Sequence, residues 1–293
     1  MIIRGFHGIR RNNDLSEVFL SFVKRIKDDL INKAVKMMIV FSLLFFVTAC
    51  GSEQAGAEEE KGRQEETTEP SSKGNYEVPE FEAAVFDKEA AENKNGAYID
   101  LSHCAKGYVA VSAVSDARLK FQVLTQETYT YNISSDGDVS IFPLQSGDGD
   151  YTFRVMENVS ENRYAVLFET SAKVVLEDEF QPYIRNSDYA AFTMESECVK
   201  LAKDFSSSSD NALDVVSKVY DYVCANIKYD KAKAESVQSG YMPVPDETLK
   251  SGKGICFDYA CLAASMLRSQ GIPTKVITGY VAPNDIFHAW NMF

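Results

Sequence analysis

Cys256 and His288 are the side chains of this chain best suited to covalent chemistry: a thiol nucleophile, and a candidate base beyond one helix and one strand of sequence. A cysteine attacks an acyl carbon as its thiolate, which forms near neutral pH only beside a positive field. From Cys256 to Gln270 the apolar residues Phe257, Ala260, Leu262, Ala263, Met266 and Leu267 recur at steps of three and four, which predicts a helix with a buried face. Gly271 and Pro273 end it. Gly252 and Gly254 free the backbone just before Cys256, so the sulfur is expected at the helix N-terminus, where unpaired N–H groups stabilise an anion. The same groups could serve as an oxyanion hole. Thr274 to Val281 is β-branched and aromatic and predicts a strand. His288 follows a Pro283-Asn284-Asp285 turn at the start of another strand, from which an imidazole could face the helix start.

The segment Gly254-Ile255-Cys256-Phe257-Asp258-Tyr259-Ala260, followed by His288-Ala289-Trp290, resembles the core domain of the transglutaminase-like superfamily. In that family G-x-C-x-D-[YF]-A carries the nucleophile at a helix start and H-A-W carries the general base, so the resemblance implies these roles for Cys256 and His288. The upstream runs Val219-Tyr220-Asp221-Tyr222-Val223 and Ile227-Lys228-Tyr229-Asp230 resemble the helix and Y-D that lead into the nucleophile loop, extending the likeness over residues 190–293. The family's third residue, an Asp that orients the imidazole, belongs to the strand after the histidine, past Phe293. The sequence is therefore expected to be incomplete at its C-terminus and, without that Asp, inactive as it stands. Asp285, on a turn, is a poor substitute, and Asp258 is expected to face solvent or cap its helix.

The rest of the chain bounds what surrounds this site. Its 293 residues suffice for two domains with separate cores, and a net charge of −13 without a basic stripe argues against a nucleic-acid partner. Much of the acidity lies in Ser52 to Pro70, a Glu-rich stretch lacking large apolar residues that reads as a disordered tether, residues 51–75 in all. Before it, Met37 to Ala49 is an unbroken apolar run, short of the roughly 20 residues that span a bilayer but suited to a secretory signal. Its ending, Val47-Thr48-Ala49-Cys50, resembles the bacterial lipobox, which implies cleavage before Cys50 and diacylglycerol on its thiol. Residues 37–50 are thus read as signal and lipobox. Residues 1–36 are an upstream extension whose basic and apolar residues alternate in a helix-like way, long for a signal and open to a membrane-surface reading.

Between the tether and the helices, over residues 76–187, the apolar period changes to two. Tyr129, Tyr131 and Ile133 alternate with polar residues, as do Tyr151, Phe153 and Val155, and Tyr164, Val166 and Phe168. Turn signals at Ser135 to Asp138 and Ser146 to Asp150 separate them, predicting an antiparallel β-sandwich. The Asp-Gly-Asp runs lack calcium-loop spacing, and His103 beside Cys104 lacks further metal ligands, so both are read as structural. Helical stripes follow: Ala191, Met194, Cys198, Leu201, Ala202 and Phe205, then Leu213, Val216, Val219, Tyr220, Val223 and Ile227. Cys198 and Cys224 lie on successive helices and could meet, though each is read as a buried free thiol. Cys261 falls on a different helix face from Cys256. Tyr229 or Tyr241 could line a substrate groove.

The expected fold is α+β, an N-terminal antiparallel β-sandwich over residues 76–187 followed over residues 188–293 by an incomplete transglutaminase-like domain of papain-like architecture. The expected function is an extracytoplasmic, lipid-anchored thiol enzyme acting on peptide, isopeptide or glutamine carboxamide bonds through a Cys256 thioester, hydrolytic in the first instance. No cofactor and no metal are implied. The partners are a peptide or protein substrate in the cell envelope and a membrane reached through the lipid anchor. Amide cross-linking is one alternative, and a non-catalytic envelope lipoprotein that binds peptide is another.

Overall fold

Alternation of apolar and polar residues builds the first half of the molecule. A computed structural model describes residues 73–282 and 286–293; Cys50, the apolar run before it, the extension, nearly all of the tether and the 283–285 turn lie outside the described residues. Strands β1 (Glu92–Lys94), β2 (Ala97–Asp100), β3 (Tyr108–Ala113) and β6 (Ser140–Pro143) form one antiparallel sheet in the order β1-β2-β3-β6. Strands β4 (Leu119–Leu124), β5 (Thr128–Ile133), β7 (Gly149–Ser160) and β8 (Arg163–Val174) form a second, in the order β5-β4-β7-β8. Side chains of a strand point to alternate faces, so Leu119, Phe121 and Val123 of β4 and Phe153 and Val155 of β7 all turn inward. They meet Ile99, Val109, Val111 and Phe142 of the other sheet in one core, with the Phe121 and Phe142 rings 5.5 Å apart. This is a sandwich.

The sequence pattern misplaces one face. Tyr164, Val166 and Phe168 were expected to alternate inward together, but Val155 pairs with Phe168 while the next residue, Met156, pairs with Val166. Leu167 is the extra residue of a β-bulge. The alternation therefore slips by one, leaving Leu167 packed against the core and Val166 52 % exposed.

A second core is built from helices α1 (Glu197–Ser207), α2 (Ala212–Asn226) and α5 (Cys256–Arg268), joined through β9 (Lys228–Tyr229), α3 (Lys231–Ser236), α4 (Pro245–Ser251) and β10 (Lys253–Gly254). α5 is the central piece. Leu262, Met266 and Leu267 pack against Cys198, Val199 and Ala202 of α1 and Val215, Val219 and Val223 of α2. Strands β11 (Lys275–Val281) and β12 (Ile286–Met292) then form an antiparallel pair with Gly279 opposite His288.

Both predicted stripes need correcting. α1 starts only at Glu197, so Ala191 and Met194 precede it and Met194 is exposed. Its first turn is capped from a distance, because the Asp246 carboxylate accepts from the N–H groups of Glu197 (3.0 Å) and Cys198 (2.9 Å). On α2 the buried line is Val215, Val219 and Val223, while Leu213 and Tyr220 face out.

The two cores lie within one compact unit, Thr68–Phe293. Tyr76 donates its N–H to Ser209 O and its hydroxyl to Gln270 O, each at 2.8 Å, and Phe81 packs on Phe192, so residues 73–81 run along the helices. Further on, Thr274 N–H donates to Tyr183 O at 2.9 Å, and Tyr189 packs between Tyr131 of the sandwich and Phe257 of α5. Among the described residues no helix is long and apolar enough to cross a membrane.

Candidate active site

Cys256 is the first residue of α5. Its position follows from two glycines with different duties. Gly252 ends α4 at φ 61°, a left-handed conformation that disfavours other residues. Gly254 is needed for space: a Cβ there would lie 2.6 Å from the Asp258 Cβ. The loop is then tied down by the preceding segment, since β10 pairs in parallel with β9, Lys228 N–H donates to Gly252 O and Asp230 N–H to Gly254 O, both at 2.9 Å. The Tyr229-Asp230 pair thus clamps the loop before Cys256, while the Asp230 side chain accepts from Lys233 N–H and starts α3.

The first turn of α5 leaves the N–H groups of Cys256, Phe257 and Asp258 without helical partners, as every helix start does. Ile255 N–H is different, because the Asp258 carboxylate accepts from it at 2.7 Å. Asp258 therefore caps the helix as expected, but it does not face solvent: it is fully buried. It also accepts from the Tyr241 hydroxyl at 2.5 Å and pairs with the Lys233 ammonium at 2.8 Å. Lys233 in turn donates to the Tyr241 hydroxyl at 2.6 Å. Burial alone would depress Lys233, yet its hydrogen bonds to Asp258 and Tyr241 outweigh that and raise it above the usual lysine value. Burial, then the hydrogen bond to Asp258, raises Tyr241. The helix that Cys256 opens is thus anchored by a closed polar triad that neutralises its only buried acid.

His288 sits on β12 with an exposed ring, stacked on Trp290 at a centroid separation of 6.3 Å. Ala289 is buried, and Asn291 donates to Ala260 O of α5 at 2.9 Å and to Lys275 O at 3.3 Å, which fixes β12 against both the helix and β11. Cys256 and His288 line one cavity of about 480 Å³, with Tyr259, Ala260 and Ala263 of α5, Val216, Val219 and Val223 of α2, and Trp290. Among the described residues the imidazole makes no hydrogen bond or ion pair. Tyr229 is near Cys256, and its hydroxyl is raised by burial and then by that sulfur. Tyr241 belongs to the other side of α5.

The remaining thiols separate cleanly. Cys104, Cys198 and Cys261 are buried, and burial raises all three, Cys104 to about 12 with help from the Asp100 charge. Cys224 corrects the expectation of a buried thiol: it is exposed and lines the Cys256 cavity. Cys198 and Cys224 do not meet in a disulfide. His103 stacks on Tyr108 near Asp100, and no group of three His, Cys, Asp or Glu side chains among the described residues is placed to hold a metal.

A mixed α and β fold with a half-buried cysteine opening a central helix and a histidine on the adjoining antiparallel pair defines a papain-like arrangement. Residues 199–293 match the model of the transglutaminase-like superfamily. The chain is also similar to the UPF0252 protein MJ1282 of Methanocaldococcus jannaschii, 28 % identical over 132 residues that make up 41 % of this chain and 36 % of that protein. It thus spans about a third of that relative's length. Two solved structures align with part of the chain. A provisionally assigned cysteine protease from Cytophaga hutchinsonii aligns over 61 % of this chain and 63 % of its own, at 16 % identity and TM-score 0.35. A provisionally assigned protease from Parabacteroides distasonis aligns over 59 % and 33 %, at 19 % identity and TM-score 0.26.

Proposed function

We propose that this protein is a cysteine-protease-like enzyme that cleaves amide bonds of peptide, isopeptide or glutamine carboxamide type through a thioester on Cys256. The observation that carries the reading is the convergence on one cavity of a cysteine at a helix N-terminus and a histidine from the neighbouring strand. His288 takes the proton of the Cys256 thiol, and the sulfur attacks the carbonyl carbon. The oxyanion so formed is met by N–H groups at the start of α5. Collapse expels the amine, which leaves with the proton from His288, and the acyl group remains on Cys256. Water then attacks the thioester, passing its proton to His288 and releasing the acid. His288 is exposed, so water reaches it readily, which favours hydrolysis over transfer to an amine.

The test is incubation of the whole protein with casein in the presence of monodansylcadaverine. New amino groups without fluorescence in the casein are expected, and Cys256→Ala and His288→Ala should both abolish them. Fluorescent casein would instead show cross-linking. Absence of any acyl adduct on Cys256, with intact casein and a panel of isopeptides equally untouched, would point to a binding protein without catalysis.

The cellular setting is part of the same proposal. The apolar run of residues 37–49 ending at Cys50 supports a lipid-anchored, extracytoplasmic enzyme whose substrate lies in the cell envelope. Two acyl chains contribute about 0.8 kcal/mol per buried methylene and give a firm anchor. Cys50→Ala should abolish incorporation of radiolabelled palmitate and leave the precursor uncleaved; normal processing of that variant would contradict the anchor.

A further inference from the structure

A second cavity among the described residues is larger than the one that holds Cys256. It measures about 590 Å³ and is bordered by Thr128 to Asn132 of β5 and by Val276 to Thr278 of β11. In both strands the bordering residues are consecutive. Side chains of a strand alternate between faces, so an unbroken run means that the backbone edge itself meets the cavity. β5 is the outer strand of its sheet and pairs only with β4, and β11 pairs only with β12. Two rows of backbone N–H and C=O groups without a ladder partner among the described residues therefore border one space, and such edges are templates for an added strand.

Arg268 supplies the second observation. It comes from the last turn of α5, is 2 % exposed and lines the same cavity. Its Nε donates to Thr274 O at 2.9 Å, and its Nη1 donates to Arg185 O at 2.8 Å and to Ser187 Oγ at 3.2 Å. All three acceptors are neutral. No carboxylate pairs with this guanidinium among the described residues, and no acceptor is in place for its Nη2. Burial lowers its pKa to about 10. A buried cation in this state favours an anion that enters beside it. Tyr183, Tyr189 and Phe257 give the space aromatic walls, and its size is that of a ligand site.

We propose that this cavity binds an extended peptide segment ending in a free C-terminal carboxylate, the backbone adding to the β5 edge and the carboxylate pairing with Arg268. The site recognises and does not cleave. Phe257 borders it, while its neighbour Cys256 opens into the other cavity. Peptide bound here is therefore held by the sandwich and the helical core together, apart from the reacting thiol.

The experiment is fluorescence anisotropy with the whole protein and the probe fluorescein-Gly-Thr-Val-Thr-Ala, made both as free acid and as C-terminal amide. Saturable binding of the acid is expected, with the amide weaker by about tenfold or more, the loss of one charged hydrogen-bonded pair. Cys256→Ala should bind the acid like the native protein, so failure of the catalytic reading leaves this result standing. Arg268→Gln should remove the preference for the acid. Because that variant can fold poorly, hydrogen exchange of the native protein gives a second readout: the acid should slow exchange within residues 128–133 and 275–278. Equal affinity for acid and amide, no saturable binding of either, or protection confined to residues around Cys256 would overturn the proposal.

Discussion

At the residue scale the reactivity of Cys256 depends on a charge balance hidden beneath it. Asp258 lies two residues further along α5 and is fully buried, so its carboxylate would oppose a thiolate if nothing offset it. Lys233 offsets it at 2.8 Å. Lys233→Met should therefore slow alkylation of Cys256 several-fold and cost roughly 1–3 kcal/mol, less than a fully buried pair because Lys233 is partly exposed. Lys233→Arg should recover most of both. Iodoacetamide kinetics and thermal melts would check this, and an unchanged rate in Lys233→Met would remove Lys233 from the account. Asp258 itself was legible, since it lies inside the motif that points to Cys256. Lys233 and Tyr241 were not: they come from a separate short helix and a loop, and no spacing rule links them to Asp258.

At the scale of elements, the start of α5 and the start of α1 are both set by acids, and both can be broken. Gly254→Ala would place a Cβ 2.6 Å from the Asp258 Cβ. It should cost about 1–3 kcal/mol, as overpacking of a tight site does, and lower the melting temperature. Asp246 caps α1 from α4. Burial alone would raise its carboxyl, but the N–H groups of Cys198 and Glu197 outweigh that and hold it below the usual aspartate value. A carboxyl depressed on folding contributes stability that is fully present above its unfolded value, about 3.9, and is lost as pH falls through the lower folded value. Asp246→Ala should thus cost about 1–2 kcal/mol at pH 7, and the gap between native and variant proteins should close below about pH 4 in urea titrations. A gap independent of pH would show that the charge is not what caps the helix. Helix existence was readable from the apolar steps, but the late start of α1 was not, because its cap comes from Asp246, distant in sequence.

At the scale of the whole molecule, two short-range periods gave the architecture and long-range packing gave the sites. Period two pointed to β5, β7 and β8 and failed at Leu167, where a bulge adds a residue that no pattern announces; β3, which buries Tyr108 to Val111 in succession, carries no such alternation. The placement of Cys256 and His288 was legible because each lies in a local motif. The run of residues 73–81 along the helices, the Arg268 guanidinium among neutral acceptors and the two cavities were not, because each depends on parts of the chain far apart in sequence. This organisation predicts that Tyr76→Ala, which removes an anchor on Gln270, lowers the melting temperature of the whole protein without altering the reactivity of Cys256. The central claim, that fold and helix terminus make Cys256 the nucleophile, has an internal control in Cys224, which lines the same cavity and is the more exposed of the two. The decisive measurement is therefore the rate of iodoacetamide labelling at each thiol near neutral pH, mapped by peptide mass spectrometry. Cys256 should react about tenfold or more faster than Cys224 despite its lower exposure, and His288→Ala should bring it down toward the Cys224 rate. Labelling of Cys256 at or below the rate of Cys224 in the native protein would contradict the account.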